Sequence, residues 1–534
     1  MLQRNGSGAG RGFDLLVVNA TMYTADPRFA VRREMAISGG RIAALGDAGE
    51  LSGNASAARV VDAGGAFLYP GFMDPHCHFL NYGYMLQRAC LFGCASWAEA
   101  VERLRAFGAA NPGGSWILGR GWDQNLWPER AFPTRELLDA AFPDRPVLVT
   151  RIDGHAAIAN AKALELAGIG PATRVEGGEC LKACGRLTGV LVDNALDLAR
   201  AAIPPIDGET KRRALLLAQR DCFAVGLTSV SDAGTELADL AAIESAQASG
   251  ELKMRVYAML RPSPENVERH ISKGPRCGER LTLRSIKMFA DGALGSRGSL
   301  LLEPYEDDPG NRGLQLESDA QIDAACALAK RHGYQMNVHC IGDAAVRLVL
   351  DLYERHLEPG NDRRWRIEHA QIVDPADLPR FKALGVIPSV QTSHATSDMG
   401  WARERLGPRI ARAYIYRELL EQQGWLPNGS DFPIEGINPI LGFYAAVARK
   451  DREGRPAGGF QMGSALTREQ ALRAMTIWAA RANFEEESRG SLEPGKLADF
   501  VILDRDLMTA PEAELCDSRV LATYSGGELV HGGL

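Results

Sequence analysis

Apolar runs that end in polar residues recur through the middle of the chain, at 66–73, 226–230, 254–260, 285–289, 335–338, 365–367, 385–390 and 425–427. Helical patterns such as 319–332 and 344–356 lie between several of them. Strands alternating with helices build parallel sheets, because bringing a parallel strand alongside its predecessor takes a crossover of a dozen or more residues. Eight β–α units over about 400 residues predict an α/β chain centred on a (β/α)8 TIM barrel. The ends read differently. Short strand-like runs at 14–24, 34–38 and 41–45, with Gly39-Gly40 between the last two, are matched by runs at 496–503, 520–524 and 528–530. They predict a small β-sandwich domain built from both termini, 1–69 plus 485–534, beside a barrel at 70–484. Between barrel strands one and two lies an extra stretch, about 89–223, with Gly/Pro/Trp-rich turns and some helix. It is expected to form an inserted subdomain or lid.

Composition narrows the class. The 534 residues are 46% hydrophobic and 24% charged with a net charge of −7, so disorder and fibrous structure are excluded. No Lys/Arg run forms a nucleic-acid stripe, and no stretch approaches 18 uninterrupted apolar residues. The start, 1–12, is Gly-rich and polar, which is not the pattern of a secretory signal. Ten cysteines at irregular spacings read as free thiols; the alternative, zinc held by Cys90, Cys94, Cys180 and Cys184, lacks a Gly/Pro-rich knuckle around either pair. The expectation is a cytoplasmic enzyme with a small-molecule substrate and neither nucleic-acid nor membrane partner. Homo-oligomers are compatible with a barrel of this size.

In this fold the loops after the strands carry the active site. Strand one ends Asp74-Pro75-His76-Cys77-His78. Alternate residues of an extended segment share a face, so His76 and His78 point into the barrel mouth together. Strand four is Ile286-Lys287-Met288-Phe289, followed by Asp291-Gly292; strand five ends Asn337-Val338-His339, strand six Ile367-Glu368-His369, and strand eight runs into Asn428-Gly429-Ser430-Asp431. Imidazoles and a carboxylate converging on one mouth make a divalent metal site, with zinc the fitting ion.

The motifs Pro70-Gly-Phe-Met-Asp-Pro-His-Cys-His78, Trp116-Ile-Leu-Gly-Arg-Gly-Trp-Asp123, Asp153-Gly-His155, Gly226-Leu-Thr-Ser-Val-Ser-Asp232, Ile286-Lys-Met-Phe-Ala-Asp-Gly-Ala-Leu-Gly-Ser-Arg297, Val338-His-Cys-Ile-Gly-Asp343, Arg366-Ile-Glu-His-Ala-Gln371, Gly429-Ser-Asp-Phe-Pro433 and Gly495-Lys-Leu-Ala-Asp499 run through nearly the whole chain. In these the sequence resembles the amidohydrolase superfamily of metal-dependent hydrolases, and within it the branch like N-substituted formamide deformylase. The resemblance implies two zinc ions per chain: His76 and His78 with Asp431 on one, His339 and His369 on the other, and Lys287, carboxylated by CO2, bridging them. The alternative is a plain lysine paired with Asp291 or another acid, and one ion. The implied activity is hydrolysis of a C–N bond in an amide-like molecule, an N-acyl compound or N-substituted formamide, by metal-activated water, with Asp431 moving the proton. A deaminase or cyclic-amide hydrolase with a mononuclear site is the competing enzyme. A barrel serving only as a binding protein would lack a ligand, and none is missing.

Four further residues are candidates for substrate contact. His155, in Asp153-Gly154-His155, and His394, after strand seven, are placed to hydrogen-bond a carbonyl or oxyanion, unless the backbone satisfies them. Arg297 suits a substrate carboxylate or a structural ion pair. Trp122, with Trp127, suits an apolar pocket wall or the core of the insertion.

Overall fold

The structure, a computed structural model, describes residues 12–53, 56–113, 115–151, 156–175 and 178–533. Residues 1–11, where the signal was sought, and His155 lie outside the described residues. The chain folds as two compact units: one joins the stretch up to Tyr82 with the stretch from Leu215 onward, and the other is Gly83–Ala214.

The first unit holds the barrel. Seven parallel strands pair in chain order: β1 (Phe72–Cys77), β2 (Leu227–Thr235), β3 (Arg255–Leu260), β4 (Leu281–Phe289), β5 (Gln335–Cys340), β6 (Arg366–His369) and β7 (Ile387–Ser389). They are buried almost throughout, as strands enclosed on both faces must be, and read as apolar runs for that reason. The eighth position is held more loosely. Asn428 forms a single parallel bridge with Val390, the Asp431 N–H donates to the His76 carbonyl at 2.8 Å, and the His78 N–H donates to the Phe432 carbonyl at 2.8 Å. Gly429 makes that approach possible, since a Cβ there would sit 2.7 Å from Asp74 Oδ1 and 2.8 Å from the His76 nitrogen. Parallel register sets Lys287 beside Asn337, His339 beside Glu368 and Cys340 beside His369. Helices cover the outside. The helix Asp319–His332 starts with a Ser318–Gln321 capping box and stops at left-handed Gly333, with Lys330, Arg331 and His332 in its last turn facing the negative end of the helix dipole.

Both termini supply β structure to the same unit. One four-stranded sheet uses Gly12–Val18, Glu34–Ser38, Arg41–Gly46 and Ser56–Asp62; a six-stranded sheet joins Thr21–Tyr23, Val31–Arg32 and Phe67–Pro70 to Phe500–Leu503, Val520–Ser525 and Glu528–Gly532. Leu15, Val17, Met35 and Ile37 of one sheet and Met22, Leu68, Phe500 and Ile502 of the other close a common core. A bidentate pair, Arg255 Nε to Asp499 Oδ2 at 2.8 Å and Nη2 to Oδ1 at 2.9 Å, ties the base of β3 to the entry of Phe500–Leu503.

The second unit is a six-stranded sheet with its own core. Its strands run in the order Gly178–Ala183, Arg186–Asp193, Ala156–Ala159, Val147–Arg151, Ile117–Trp122 and Ala89–Cys90. Trp97, Trp122 and Trp127 pack together against Leu104, Ile117 and Val147. All ten cysteines are free thiols. Among the described residues no helix is long and apolar enough to cross a membrane.

Candidate metal centre

Strand alternation carries Asp74 and His76 along one side of β1, and His78 follows as the chain leaves the strand. His76 Nδ1 hydrogen-bonds Glu368 Oε2, and His78 Nδ1 lies 3.0 Å from the Ala233 carbonyl, so both rings keep Nε2 for the cavity. Those two nitrogens meet Asp431 Oδ1, at 3.6 Å from His76 and 3.3 Å from His78. One ligand atom from each of the three lies within 4.8 Å of the others. Such spacing suits a shared cation better than direct hydrogen bonds. Beside them His369 stacks edge-on to His339 with ring centroids 4.4 Å apart, and His76 and His369 are 4.9 Å apart. His369 (φ +74°) and Asp431 (φ +63°) both adopt left-handed backbone, a strained conformation for non-glycine residues that clusters at functional sites.

Charge follows burial. Burial drives the His76 imidazole down to about 4 and His339 down to about 3, and His369 falls well below the usual histidine range for the same reason. They are therefore neutral at physiological pH, the form that donates a lone pair to a metal. His78 moves the other way: burial lowers it, but the Asp431 carboxylate beside it outweighs that. Asp431 is held well below the carboxylate range, its burial overcome by His78 and the neighbouring imidazoles. Lys287 is fully buried, and burial lowers its ammonium to about 8. An amine in that range is partly neutral near pH 7 and so nucleophilic.

Five buried atoms here have no hydrogen-bond partner: Lys287 Nζ, His339 Nε2, His369 Nδ1, His394 Nε2 and Asp431 Oδ1. Each orphaned polar group costs about 1–3 kcal/mol. Five of them, from residues that line one cavity of about 360 Å³ at the carboxyl ends of the strands, are a donor set that fits a metal. Lys287 does not pair with Asp291. That carboxylate instead accepts the backbone N–H groups of Leu300, Ile341 and Gly342 at 2.8–3.0 Å and anchors the loops above β4 and β5.

A model of the Amidohydrolase family matches residues 59–531, most of the chain. The chain belongs to the amidohydrolase family. It is 32% identical over 98% of its length to the protein LONG AFTER FAR-RED 3 of Arabidopsis thaliana, covering 92% of that protein. It is 28% identical over 97% of its length to the N-substituted formamide deformylase of Arthrobacter pascens, covering 98% of it. An uncharacterized metal-dependent hydrolase from Pyrococcus horikoshii superposes with a TM-score of 0.78 at 31% identity, covering 93% of this chain and 99% of that one. This amidohydrolase is a metal-dependent hydrolase acting on carbon–nitrogen bonds.

The amidohydrolase brings His76, His78, Lys287, His339, His369, His394 and Asp431 to one cavity. His394 Nε2 lies 3.7 Å from Asp431 Oδ2. Two expected substrate contacts lie elsewhere. Arg297 turns to Asp307, at 2.8 and 3.2 Å, and its guanidinium is held there as an ion pair. Trp122 is fully buried in the core of its own unit, its indole N–H donating to the Val149 carbonyl at 2.9 Å, so it presents no face to a substrate.

Sequence reasoning passed over Glu368 and Arg366. Their alternate spacing points both into the barrel interior, where Arg366 Nε donates to Glu368 Oε1 at 2.6 Å and Arg366 Nη2 to the Pro75 carbonyl at 2.6 Å. Burial would raise Glu368, but Arg366 and His76 hold it well below the carboxylate range, so it stays ionised against His76 Nδ1. The signal was the Arg-Ile-Glu-His alternation itself, because two charged residues on one face of a buried strand need each other. Asp74 was also passed over. It accepts from the His76 N–H at 3.0 Å and the Ser430 hydroxyl at 2.6 Å, fastening β1 to the eighth position.

Proposed function

We propose that this amidohydrolase cleaves the C–N bond of an N-acyl or N-formyl amine, giving a carboxylic acid and an amine. The observation that carries the reading is the set of unpaired imidazole, amine and carboxylate atoms in one cavity beside Asp431, and the full-length likeness to a deformylase supports it. His76, His78 and Asp431 would hold one divalent ion, and His339 and His369 a second, with zinc the ion these ligands suit. Lys287, as the neutral amine, would add to CO2 with loss of a proton, and the resulting carbamate would offer two anionic oxygens between the ions.

A bound divalent cation supplies an acidified water and a polarised carbonyl. The chain does the rest. Asp431, ionised and in reach of both His76 and His78, accepts the proton of the attacking water and passes it to the departing nitrogen. His394, its Nε2 unpartnered and facing the cavity, steadies the carbonyl oxygen as charge builds there. Water adds its oxygen to the acyl carbon, the C–N bond breaks, and the amine leaves with the transferred proton.

Two measurements test this. Elemental analysis of protein purified with bicarbonate and without chelator should find about two divalent ions per chain; one ion would leave Lys287 an ordinary amine and turn attention to mononuclear deaminase chemistry. Asp431→Asn should lower turnover of N-formyl amines about 10²–10⁴-fold with the far-ultraviolet circular dichroism unchanged. Retained turnover would remove Asp431 from the proton path.

A further inference from the structure

Away from the histidines the cavity is walled by the apolar side chains of Leu294, Ile341, Trp401 and Ile434 and by two carboxylates, Asp398 and Glu435. Neither acid belongs to the His76, His78 and Asp431 group. Asp398 is fixed in place, its Oδ2 accepting from the Tyr414 hydroxyl at 2.8 Å and from Gln371 Nε2 at 3.3 Å. Glu435 Oε1 accepts from the hydroxyl of Ser397 at 2.5 Å, the residue before Asp398, so the two acids share one wall. Among the described residues no Lys or Arg pairs with either. Burial pushes the Asp398 carboxyl up, outweighing the downward pull of His394 and of the Tyr414 hydroxyl.

Two further facts bear on what fills this space. The guanidinium nearest in sequence to a substrate role, Arg297, is committed to Asp307, and among the described residues that line the cavity the only Lys or Arg is Lys287. His394, 8% exposed, turns an unpartnered Nε2 into the same cavity. Acidic, apolar and without a Lys or Arg paired to its carboxylates, the wall repels a carboxylate and attracts a cation.

We infer that Asp398 and Glu435 select amide substrates that carry a second, cationic group, a protonated amine or amidine, on an apolar frame, and reject those that carry a carboxylate. This rests on the reading of the site as an amide hydrolase. His394 would meet the scissile carbonyl while the two acids meet the distal cation, so one end of the substrate is read by the catalytic residues and the other by charge. N-acyl amino acids are poor substrates on this account.

Three para-substituted N-benzylformamides of nearly equal size, bearing aminomethyl, ethyl or carboxymethyl groups, make the test. Their dissociation constants are measured by calorimetry on full-length Asp431→Asn protein whose zinc content has been matched to that of the unsubstituted enzyme, and their turnover on the unsubstituted enzyme. The aminomethyl compound should bind about tenfold tighter than the ethyl compound, with the carboxymethyl compound weakest. Adding Glu435→Gln should shrink that gap, and Glu435→Lys should turn the preference toward the carboxymethyl compound. Equal binding of the aminomethyl and ethyl compounds, no measurable binding of any of the three, or a preference that survives Glu435→Gln combined with Asp398→Asn would overturn the inference. Absent turnover with the binding order intact counts against the amide reading alone, whereas turnover without charge preference counts against the selection alone.

Discussion

His76 shows how one side chain is made into a ligand. Its ring is held from behind by Glu368, Glu368 is held by Arg366, and Arg366 also reaches the Pro75 carbonyl one residue before the histidine. The chain of contacts fixes which nitrogen carries the proton and leaves Nε2 bare toward Asp431. Glu368→Gln keeps the shape but removes the charge that favours the Nδ1 proton. We expect its affinity for zinc, read by competition with a chromophoric chelator, to fall about 10–100-fold. An unchanged affinity would mean that packing alone orients the ring. The same variant leaves Arg366 buried without its carboxylate, so a lower unfolding midpoint should accompany the loss, and the metal titration is what separates the two effects.

At the scale of elements, the insertion stands on its own aromatic core. Trp122 and Trp127 stack with ring centroids 6.1 Å apart, and each indole N–H is spent on a backbone carbonyl, Val149 for Trp122 and Cys94 for Trp127, both at 2.9 Å. Trp122→Ala should destabilise this unit by about 3–5 kcal/mol, measured as a shift in the denaturant midpoint of a transition followed by tryptophan fluorescence. A shift below about 1 kcal/mol would mean that the surrounding side chains collapse into the space. The barrel strands make a different point. Six of the eight expected runs pair as regular parallel strands. The first, 66–73, is divided, its Phe67–Pro70 pairing in the terminal sheet and only Phe72 and Met73 entering β1. The eighth forms one bridge to Val390 and a few hydrogen bonds to β1, because its work is to turn Gly429, Ser430 and Asp431 over the mouth rather than to extend a ladder.

For the whole molecule, the pair between Arg255 and Asp499 joins barrel to terminal sheet inside one compact unit. Burial alone would raise the Asp499 carboxyl, but Arg255 overcomes it and holds the carboxyl below its ordinary value. A depressed folded value means the unfolded chain binds the proton more readily. The stabilisation is therefore complete above the unfolded value of about 3.9 and is lost as pH falls toward the folded one. Asp499→Asn should lower stability near neutral pH by about 3–5 kcal/mol and flatten the decline of the thermal midpoint below about pH 4. An identical acid limb in the variant would assign that limb to other carboxylates.

Much of this was legible in order along the chain. The β–α alternation, the two β-rich ends and the His-X-His, Lys, His, His and Asp at strand ends depend on local periodicity and on the short reach of an extended segment, so a linear reading carries them. The partners of those residues are another matter. Whether Lys287 meets Asp291, whether Arg297 meets substrate or Asp307, and whether Trp122 faces a pocket or a core are settled by groups 4, 10 and 27 positions away, Asp291, Asp307 and Val149. Asp398 and Glu435 reach the same cavity from after β7 and from the eighth position, and nothing in their own segments marks them. The sequence by itself determined the barrel and its donor types, because period and composition act over a few residues. Only the tertiary structure decided which charges stay unpaired in the cavity, because pairing depends on distances that the folded backbone sets.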